Sequence, residues 1–404
     1  MAVACVGAFA SCSCAMAAEA AFQQFLDSLW PSAQGLGVSR ATFEAATRGL
    51  EADFSLPDLV IPGRPERVPQ PEFVQAPADY IKETTIARLA EHGKNLAGAH
   101  RATLAAVERQ FGVPGSIMLA IWGRETDFGR YRNTHAAIRV LATQAFYGRR
   151  KELFRDELLL ALKMIEEGHV RPAAMKSSWA GAMGLMQFLP SDFYKHAVDF
   201  DGDGRADIWT SVPDALASAA KQLLDKGWQR GRRWGIEVRA PPGTDCTLGV
   251  PSNTKPIGEW LRLGFAPTEA RALRADDLAE PASLLQPAGS YGPAFLTPSN
   301  YFVLKAYNFS DLYVLFVGHL SDRIAGGRPF ATPWGRLVQL QGAEVERVQR
   351  RLAALGLYVD SIDGKAGMKT RAALGAYQKA NGLKVDCWPT TAVLEHMQAG
   401  AQDR

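Results

Sequence analysis

The sequence contains few cysteines and no long hydrophobic run. Only five of its 404 residues are cysteines, and three of these lie among the first 14 residues. The other two, Cys246 and Cys387, are too few for a disulfide framework, and the sequence leaves open whether they form a bridge or remain two free thiols. No apolar stretch approaches the ~20 residues of a membrane-spanning helix, so we expect no transmembrane segment.

A strong charge of one sign is also missing. The chain has 45 Lys and Arg against 42 Asp and Glu, a formal net charge of +3, and it contains no long basic run. This balance predicts no nucleic-acid partner. Histidine pairs at metal-ligand spacing, Cys-x-x-Cys and a Gly-rich phosphate loop are absent as well. The apolar fraction of 47% is that of a globular protein and excludes a disordered or collagen-like chain.

The first 18 residues are small or apolar, carry no charge, and end in Ala15-Met16-Ala17-Ala18. This pattern predicts a secretory signal peptide over residues 1–18, although the usual Lys or Arg after the start is missing. The alternative is the Ala-rich N-terminus of a cytosolic protein. We expect export to the periplasm, and the contexts of Cys5 and Cys12 leave lipid anchoring open.

Helical periodicity dominates the rest of the chain. Residues 20–50 and 80–230 read as helices, residues 239–298 as a small mixed subdomain, and residues 301–320 as a further apolar helix. A Pro-rich stretch between residues 55 and 78 is predicted to be irregular. The sequence therefore predicts a mainly α (α+β) fold.

The C-terminal part of the chain has a separate organisation. Gly and Pro around residues 326–341 predict a linker, and residues 342–398 form an amphipathic module. The apolar positions of its first helix are Val345, Val348, Leu352 and Leu355. We expect a catalytic body over residues 20–325 and a small terminal domain.

One carboxylate lies on an apolar helix face. A helix predicted over residues 116–126 places Glu125 on the same side as its apolar residues Ile117, Met118, Ile121 and Trp122. Desolvation and the negative end of the helix dipole both raise the pKa of a carboxyl at this position, which suits a general acid. The structural alternative is a Glu paired with Arg124 or Arg130 at a helix end.

Four separated motifs resemble the B family of lytic murein transglycosylases. They are Gly123-Arg124-Glu125-Thr126-Asp127-Phe128-Gly129, the run from Ser178 to Ser191 (SWAGAMGLMQFLPS), Gln70-Pro71-Glu72-Phe73 and Tyr307-Asn308. The resemblance covers roughly residues 20–325. It implies a lysozyme-like catalytic fold that cleaves the MurNAc–GlcNAc bond of peptidoglycan without water.

The resemblance also assigns residues to a site. It places Glu125 on the single catalytic acid/base of the family, and Arg149 and Arg150 near the peptide or glycan entrance. The residues that it places along the glycan groove are Ser178, Gln187, Phe188, Tyr307, Asn308 and Tyr313. From residue type alone, we expect Trp179 to pack in the core and Gln187 to offer a donor and an acceptor to sugar amides.

The missing second carboxylate bears on the reaction type. Glycoside hydrolases place two carboxylates about 5–10 Å apart, and Asp127, at i+2 from Glu125, faces away on a helix. This favours the intramolecular route of the family, in which Glu125 acts first as acid and then as base to close a 1,6-anhydro ring. A lysozyme-type muramidase and a non-catalytic wall-binding protein are the two alternatives.

An acidic loop follows the signature run. Asp199, Asp201, Asp203 and Asp207 occupy EF-hand positions with Gly204 at the sixth place, but Thr210 stands where a bidentate Glu is expected. The family resemblance implies an unusual EF-hand-like loop that closes with a later Asp. The predicted metal set is Asp199, Asp201, Asp203, Arg205 and Asp214. We expect no required cofactor and a structural Ca²⁺ at most, the alternative being a metal-free turn in which Asp214 caps the following helix.

The terminal module resembles the three-helix peptidoglycan-binding domain that accompanies cell-wall enzymes. Its motifs are Asp363-Gly364, Thr370-Arg371-Ala372-Ala373 and Tyr377-Gln378, and Cys387 occupies a site that usually holds Gly. A generic helical bundle also accounts for these signals. The expected partners are peptidoglycan glycan strands, with other cell-wall enzymes as further candidates.

Overall fold

The computed structural model describes residues 18–61, 75–269, 272–335, 337–338 and 340–402. Residues 1–17 of the predicted leader and the motif Gln70-Pro71-Glu72-Phe73 lie outside this part of the chain. Helices dominate, so the predicted mainly α class is confirmed. No helix in the described ranges is both long and apolar enough to cross a bilayer.

The chain divides into two units, one comprising residues 1–68 and 125–222 and the other residues 69–124 and 223–404. The division falls between Arg124 and Glu125, inside a single helix.

The first unit is built on helices. Its helical segments are residues 18–28, Trp30–Gly35, Arg40–Thr47, Ala137–Tyr147, Lys151–Glu166, the 3-10 turn Pro172–Ala174, Pro190–His196 and the larger part of Val212–Asp225. A two-stranded antiparallel sheet pairs His135–Ala136 with Lys176–Ser177.

Two of these helices form the core of the first unit. In Lys151–Glu166 the residues Phe154, Leu158 and Ala161 are almost completely buried, as the spacing i, i+4, i+7 of an amphipathic helix requires. They pack near helix Ala137–Tyr147, in which eight residues are buried. The helix predicted over residues 20–50 is interrupted at Gly37, whose φ of 86° belongs to the left-handed region.

The second unit contains most of the remaining helices. They are Pro77–Tyr80, Glu83–Ala99, Arg101–Phe111, Gly115–Thr126, the 3-10 turn Cys246–Leu248, Ile257–Arg262, Ala275–Ala279, Ser299–Tyr307, Asp311–Ile324, Gly342–Ala354, Met368–Ala380 and Thr391–Gln402. Helices Glu83–Ala99 and Asp311–Ile324 are joined by a polar contact, since His319 Nε2 lies 2.9 Å from a Glu83 carboxylate oxygen. Burial lowers the pKa of His319 to about 4, so the neutral ring donates this hydrogen bond.

A five-stranded antiparallel sheet confirms the predicted mixed subdomain. Its strands lie in the order Thr254–Pro256, Pro281–Leu285, Ala294–Thr297, Ile236–Arg239 and Ala266–Pro267. A further short strand spans Pro287–Ser290. The sheet covers the fully buried Trp260, whose indole N–H donates to the Ala282 carbonyl at 2.8 Å.

The terminal module consists of three helices, as predicted. Val345, Val348 and Leu352 are fully buried in its core. The buried Gln349 fixes the turn at Asp363, because its Oε1 accepts from the backbone N–H groups of Asp363 at 3.0 Å and Gly364 at 2.9 Å. The turn predicted from Asp363-Gly364 is therefore present, and Gln349 holds it in place.

A disulfide ties the module to the sheet subdomain. Cys246 and Cys387 are bonded, with their Cα atoms 6.1 Å apart, which resolves the alternative that the sequence left open. Cys387 has a φ of 54°, a conformation that favours glycine.

The segment predicted as a linker is packed against the same unit. The backbone N–H groups of Ala331 and Thr332 donate to the buried carboxylate of Glu237 at 2.9 and 2.8 Å. The ring of Phe330 stacks on His319 with centroids 3.8 Å apart. Burial of Glu237 requires hydrogen-bond donors, and this segment supplies them.

Candidate functional site

Glu125 lies in the last turn of helix Gly115–Thr126. Pro114 precedes the helix by one residue, and its carbonyl accepts from the Ile117 N–H at 3.0 Å. Ile121 and Trp122 are almost fully buried, whereas Glu125 is half-buried. The sequence therefore placed the helix correctly, and Glu125 lies at the partly exposed end of an apolar helix.

The chain reverses sharply after Glu125. Asp127, Phe128 and Gly129 all have positive φ, at 49°, 59° and 80°. The N–H of Tyr131 donates a hydrogen bond to the carbonyl of Thr126 at 2.9 Å, which closes the turn. Two consecutive non-glycine residues in the left-handed region cost about 1–2 kcal/mol each, a strain of the kind that accumulates at functional sites.

Thr126 joins this helix end to the signature run. Its hydroxyl donates to the carbonyl of Leu185 at 3.0 Å and accepts from the N–H of Gly129 at 3.1 Å. Thr126 is only 3% exposed, and both hydrogen bonds are part-buried. The structure thus brings the predicted acid and the signature run together within the first unit.

The signature run folds into a tight loop. The hydroxyl of Ser178 accepts from the N–H groups of Ala180 at 3.3 Å and Ala182 at 3.2 Å. Met183 and Phe188 form a pair of backbone hydrogen bonds of 2.8 and 2.9 Å. Ser178 therefore has a structural task in the loop in addition to its predicted position in the groove.

The glycines of the loop permit close approach. A Cβ on Gly181 would lie 2.3 Å from Leu141 Cδ2, and one on Gly184 would lie 2.6 Å from the carbonyl oxygen of Ile208. Both residues also have positive φ. Only glycine satisfies the space and the backbone conformation at the two positions.

Gln187 is held in an uncommon conformation. Its φ is 56°, and its side-chain Nε2 donates to the carbonyl of Gly184 at 2.9 Å. The residue is half-buried, so part of its amide side chain remains accessible. A half-exposed amide beside the helix end of Glu125 suits the predicted contact with a sugar.

The two aromatic expectations in this run need correction. Phe188 was placed in the groove, but its side chain is 1% exposed and therefore packs beneath the loop. Trp179 was expected in the core, yet it is only half-buried. Burial of Phe188 follows from the Met183–Phe188 pairing, which turns its side chain toward the interior.

Tyr307, Asn308 and Tyr313 belong to the second unit. The rings of Tyr307 and Tyr313 stack nearly in parallel, with centroids 6.4 Å apart and an interplanar angle of 9°. Tyr313 is 2% exposed, so it supports Tyr307 from behind, and a direct sugar contact of its ring is not supported. The Oδ1 atom of Asn308 accepts from the Ser310 N–H at 3.1 Å and shapes the turn between two helices.

Arg149 and Arg150 are exposed and lie beside Asp58. Arg149 Nε is 3.2 Å from Asp58 Oδ1, and Arg150 Nη2 is 3.7 Å from Asp58 Oδ2. One carboxylate facing two guanidinium groups leaves a local excess of positive charge. The placement of the two arginines near the peptide or glycan entrance stays a prediction.

The sequence did not identify Glu157 as a residue of this region. Its carboxylate accepts from the Ser191 N–H at 2.8 Å and from the Ser191 hydroxyl at 2.6 Å, and so holds the end of the signature run. Desolvation raises the pKa of Glu157, which is 3% exposed. Its position within an amphipathic helix gave no signal of this contact.

The acidic loop brings three carboxylates together. Oxygens of Asp199, Asp201 and Asp203 lie within 4.8 Å of one another, and all three residues are exposed. Asp199 also accepts from the N–H groups of Gly202 at 2.8 Å and Gly204 at 2.9 Å. Hydrogen bonding within the loop thus pre-forms a cluster of oxygen donors of the type that hard cations prefer.

Asp214 and Arg205 do not join this cluster. Asp214 is fully buried, and its carboxylate accepts from the N–H groups of Phe200 at 2.8 Å and Asp207 at 2.8 Å. The Arg205 guanidinium donates to the His169 carbonyl at 3.3 Å. The expectation that Asp214 closes the metal loop is therefore replaced by a role in fixing the loop backbone. The Ser211 hydroxyl accepts from the Asp214 N–H at 3.3 Å at the start of helix Val212–Asp225, so Ser211 and not Asp214 caps that helix.

Comparison with known proteins identifies two domains. Residues 21–322 match the transglycosylase SLT domain family, and residues 341–397 match the putative peptidoglycan binding domain family. A relative from Escherichia coli (strain K12), membrane-bound lytic murein transglycosylase B, is 32% identical over 225 residues. That alignment covers 54% of this chain, and the chain spans only 59% of the length of that relative.

Solved structures extend the comparison to nearly the whole chain. SltB3 from Pseudomonas aeruginosa, solved in complex with NAG-NAM-pentapeptide, is 36% identical with a TM-score of 0.81, covering 93% of this chain and 99% of that one. Slt35 from Escherichia coli, solved in complex with calcium, is 28% identical with a TM-score of 0.52, covering 62% and 77%. The family and the lysozyme-like fold expected from the sequence are confirmed. The chain belongs to the transglycosylase SLT domain family and carries a putative peptidoglycan binding domain at its C-terminal end.

Proposed function

We propose that this protein is a peptidoglycan lytic transglycosylase, which cleaves the β-1,4 bond between MurNAc and GlcNAc and leaves 1,6-anhydro-MurNAc ends. The observation that carries the proposal is the position of Glu125. It is a half-buried carboxyl at the end of an apolar helix, and Thr126 beside it is bonded to the signature run. SltB3, the similar protein from Pseudomonas aeruginosa, has also been solved with NAG-anhNAM-pentapeptide, whose name contains an anhydro-sugar.

Glu125 supplies one proton and takes one back. As an acid it protonates O4 of the leaving GlcNAc while the bond from MurNAc C1 to that oxygen breaks. The carbonyl oxygen of the substrate's own N-acetyl group stabilises the positive charge at C1. Glu125, now a carboxylate, then removes the proton from the C6 hydroxyl of MurNAc, and O6 bonds to C1. No water is consumed, so no second carboxylate is needed.

The residues around Glu125 position the substrate in this proposal. The amide of Gln187 and the loop held by Ser178 bind the glycan near the acid, while Phe188 packs beneath them. The glycan contacts that the resemblance assigns to Tyr307 and Asn308 belong to the second unit, in which Tyr313 lies behind Tyr307. Arg149 and Arg150 attract the acidic stem peptides of the wall.

We infer that the carboxylates of Asp199, Asp201 and Asp203 hold Ca²⁺. Their oxygens form a compact exposed cluster, and the similar Slt35 from Escherichia coli has been solved in complex with calcium. A bound divalent cation would offset the repulsion among three carboxylates and stabilise the loop. Its role is structural, because Glu125 accounts for both proton transfers.

The place of action follows from the substrate. Peptidoglycan lies outside the inner membrane, so we propose that the protein works in the periplasm, as the predicted signal peptide requires. The terminal domain holds the enzyme on the wall, and glycan strands are its partner there.

The products of digestion test the reaction type. Purified insoluble peptidoglycan is treated with the full-length protein, and the released muropeptides are analysed by mass spectrometry. We expect products lighter by one water than the corresponding hydrolysis products, because the anhydro ring replaces a reducing end. Reducing ends would identify a muramidase, and an absence of soluble products together with retained pelleting would identify a non-catalytic wall-binding protein.

A further inference from the structure

Tyr131 exposes an aromatic ring six residues after Glu125. Its side chain is 63% exposed, the largest exposed fraction of any Phe, Tyr or Trp in the described ranges. Within this part of the chain its ring and hydroxyl form no hydrogen bond and no ring contact. Single exposed apolar side chains are common on protein surfaces, so the significance of this ring depends on where it lies.

The backbone of Tyr131 is fixed close to the acid. Its N–H donates to the Thr126 carbonyl at 2.9 Å, and Thr126 follows Glu125 directly in the chain. Standard bond lengths therefore keep the Cα atoms of Glu125 and Tyr131 within about 11 Å of each other. Both residues belong to the first unit. A disaccharide is long enough to reach from one side chain to the other.

Two contacts attach the loop that carries Tyr131 to the signature run. At one end of the loop the Thr126 hydroxyl donates to the Leu185 carbonyl at 3.0 Å. At the other end Asn133 Nδ2 donates to the Ala182 carbonyl at 3.2 Å. The exposed ring, the acid and the signature run are therefore parts of one local structure.

The turn after Glu125 separates two aromatic side chains. Phe128 has a φ of 59° and is 7% exposed, so its ring packs inward, whereas Tyr131 remains in solvent. Strained backbone of this kind persists only where the surrounding contacts hold it in place. The loop thus contains one ring that stabilises the fold and one ring that is available to a ligand.

An exposed tyrosine next to the acid suits a sugar. The C–H groups on one face of a pyranose form an apolar surface that can cover the face of an aromatic ring. The phenol hydroxyl can also donate to or accept from a sugar hydroxyl or an N-acetyl amide. A sugar of the glycan strand therefore matches both the apolar body and the polar tip of Tyr131.

Two exposed arginines flank the ring. Arg130 and Arg132 form no ion pair with any other residue that the structure describes. Their charge attracts an anionic strand from a distance, but flexible solvated side chains do not fix the position of a sugar ring. Positioning of the sugar therefore falls to Tyr131.

We propose that Tyr131 is a substrate-binding residue whose ring stacks on a sugar of the glycan strand beside the scissile bond. The identity of the sugar rests on the proposed function, whereas the place of the ring follows from the contacts of the loop. Tyr131 adds to the groove a residue that the family resemblance does not assign. Stacking at this point keeps the glycosidic oxygen next to Glu125.

Fluorine NMR tests the contact without turnover. The full-length Glu125→Gln protein is labelled with 3-fluorotyrosine, and the resonance that disappears when Tyr131→Phe is added belongs to Tyr131. We expect the peptide-free tetrasaccharide GlcNAc-MurNAc-GlcNAc-MurNAc to shift this resonance in a saturable manner, because a stacked sugar changes the shielding of the ring. A resonance that does not move up to the solubility limit of the sugar would overturn the proposal.

Three substitutions of Tyr131 separate stacking from simple apolar contact. Tyr131→Phe keeps the aromatic face, Tyr131→Leu keeps apolar surface without that face, and Tyr131→Ala removes both. We expect kcat/KM for release of anhydro products from the tetrasaccharide to fall by about tenfold in Tyr131→Leu and Tyr131→Ala, and by less than about threefold in Tyr131→Phe. Wild-type kcat/KM of Tyr131→Leu would overturn the stacking role.

Melting temperatures and a control variant exclude a merely structural effect. All three Tyr131 variants should melt like the wild type, because this side chain has no partner to lose in the described part of the chain. Leu36→Ala truncates another exposed apolar side chain of the first unit and should leave kcat/KM unchanged. Loss of kcat/KM only in proportion to a lowered Tm would make Tyr131 a structural residue and overturn the proposal.

The two readouts separate this proposal from the proposed function. Anhydro products from the wild type together with an unmoved Tyr131 resonance contradict the sugar contact alone. A saturable shift of that resonance without anhydro products contradicts the lytic activity and leaves Tyr131 as a glycan-binding residue.

Discussion

Thr126 and Leu185 connect the helix that bears Glu125 to the signature loop. The Thr126 hydroxyl donates to the Leu185 carbonyl at 3.0 Å and accepts from the Gly129 N–H at 3.1 Å, and the residue is almost fully buried. One hydroxyl therefore satisfies a carbonyl acceptor of the signature run and an N–H donor of the turn after Glu125, and both hydrogen bonds are part-buried. Its removal leaves both without a partner.

We expect Thr126→Val to reduce the rate of muropeptide release by about tenfold or more and to lower the free energy of unfolding by about 1–3 kcal/mol. The valine keeps the shape of the side chain but makes neither hydrogen bond. Thr126→Ser is the control, because it retains the hydroxyl and should retain most of the activity. Release at the wild-type rate by Thr126→Val would contradict a positioning role.

Glu125→Gln tests the acid itself. The amide preserves size and hydrogen-bonding reach but has no proton to give and recover, so turnover should fall by at least ~10²-fold. Thermal melting and pelleting with insoluble peptidoglycan should be unchanged. Glu152→Gln makes the same chemical change at an exposed position of the same unit and should leave turnover unaffected. An active Glu125→Gln protein would mean that another residue is the acid.

Calcium should stabilise the wild-type protein. If the carboxylates of Asp199, Asp201 and Asp203 hold the ion, calcium at 100 times its Kd adds about 2.7 kcal/mol to the free energy of unfolding and raises Tm. Asp203→Asn should lose most of this shift, while Asp156→Asn, at an exposed carboxylate in a helix of the same unit, should keep it. If the melting curves in calcium and in chelator are identical, the loop does not bind calcium and is a metal-free turn.

The stability of the protein should depend on pH through Glu157. Burial raises the pKa of this carboxyl in the folded state, so the folded protein holds the proton more tightly than the unfolded chain does. The associated stability is present below the unfolded pKa of about 4.3 and is lost as pH rises through the folded pKa. Glu157→Gln removes the titration but can keep both contacts, because its Oε1 accepts from the Ser191 N–H and its Nε2 donates to the Ser191 hydroxyl oxygen.

Unfolding free energies measured by urea denaturation from pH 4 to pH 7 compare the two proteins. The wild type should lose stability relative to Glu157→Gln as pH rises over this interval. A difference that stays constant across the series would mean that ionisation of Glu157 does not contribute.

Sequence periodicity predicted the elements that long apolar patterns define. Val345, Val348 and Leu352 recur at helical spacing and are all fully buried, and the helix that ends beside Glu125 has nearly the expected bounds. Gly181 is required because its φ is positive and because a Cβ there would lie 2.3 Å from Leu141 Cδ2.

Side-chain direction within loops was less predictable. Phe188 packs inward and Trp179 remains half-exposed, because the backbone pairing of the loop, and not the residue type, sets where each ring points. Asp214 was expected to close a metal loop, but it bonds the backbone N–H groups of that loop instead. Pairings between distant segments, such as Thr126 with Leu185, have no periodic signature in the chain.

The conformation of Cys387 gives a final prediction about stability. Its φ of 54° is unfavourable for any residue with a Cβ, yet the disulfide to Cys246 offsets this cost by restricting the unfolded chain. Cys246→Ala combined with Cys387→Ala should lose about 2–5 kcal/mol of unfolding free energy relative to the oxidised wild type. Cys246→Ala combined with Cys387→Gly should recover about 1 kcal/mol of that loss, because glycine adopts the left-handed conformation without the Cβ clash. Urea denaturation of the three proteins without reductant measures both differences. A Gly variant no more stable than the Ala variant would mean that the backbone at residue 387 relaxes once the bridge is absent.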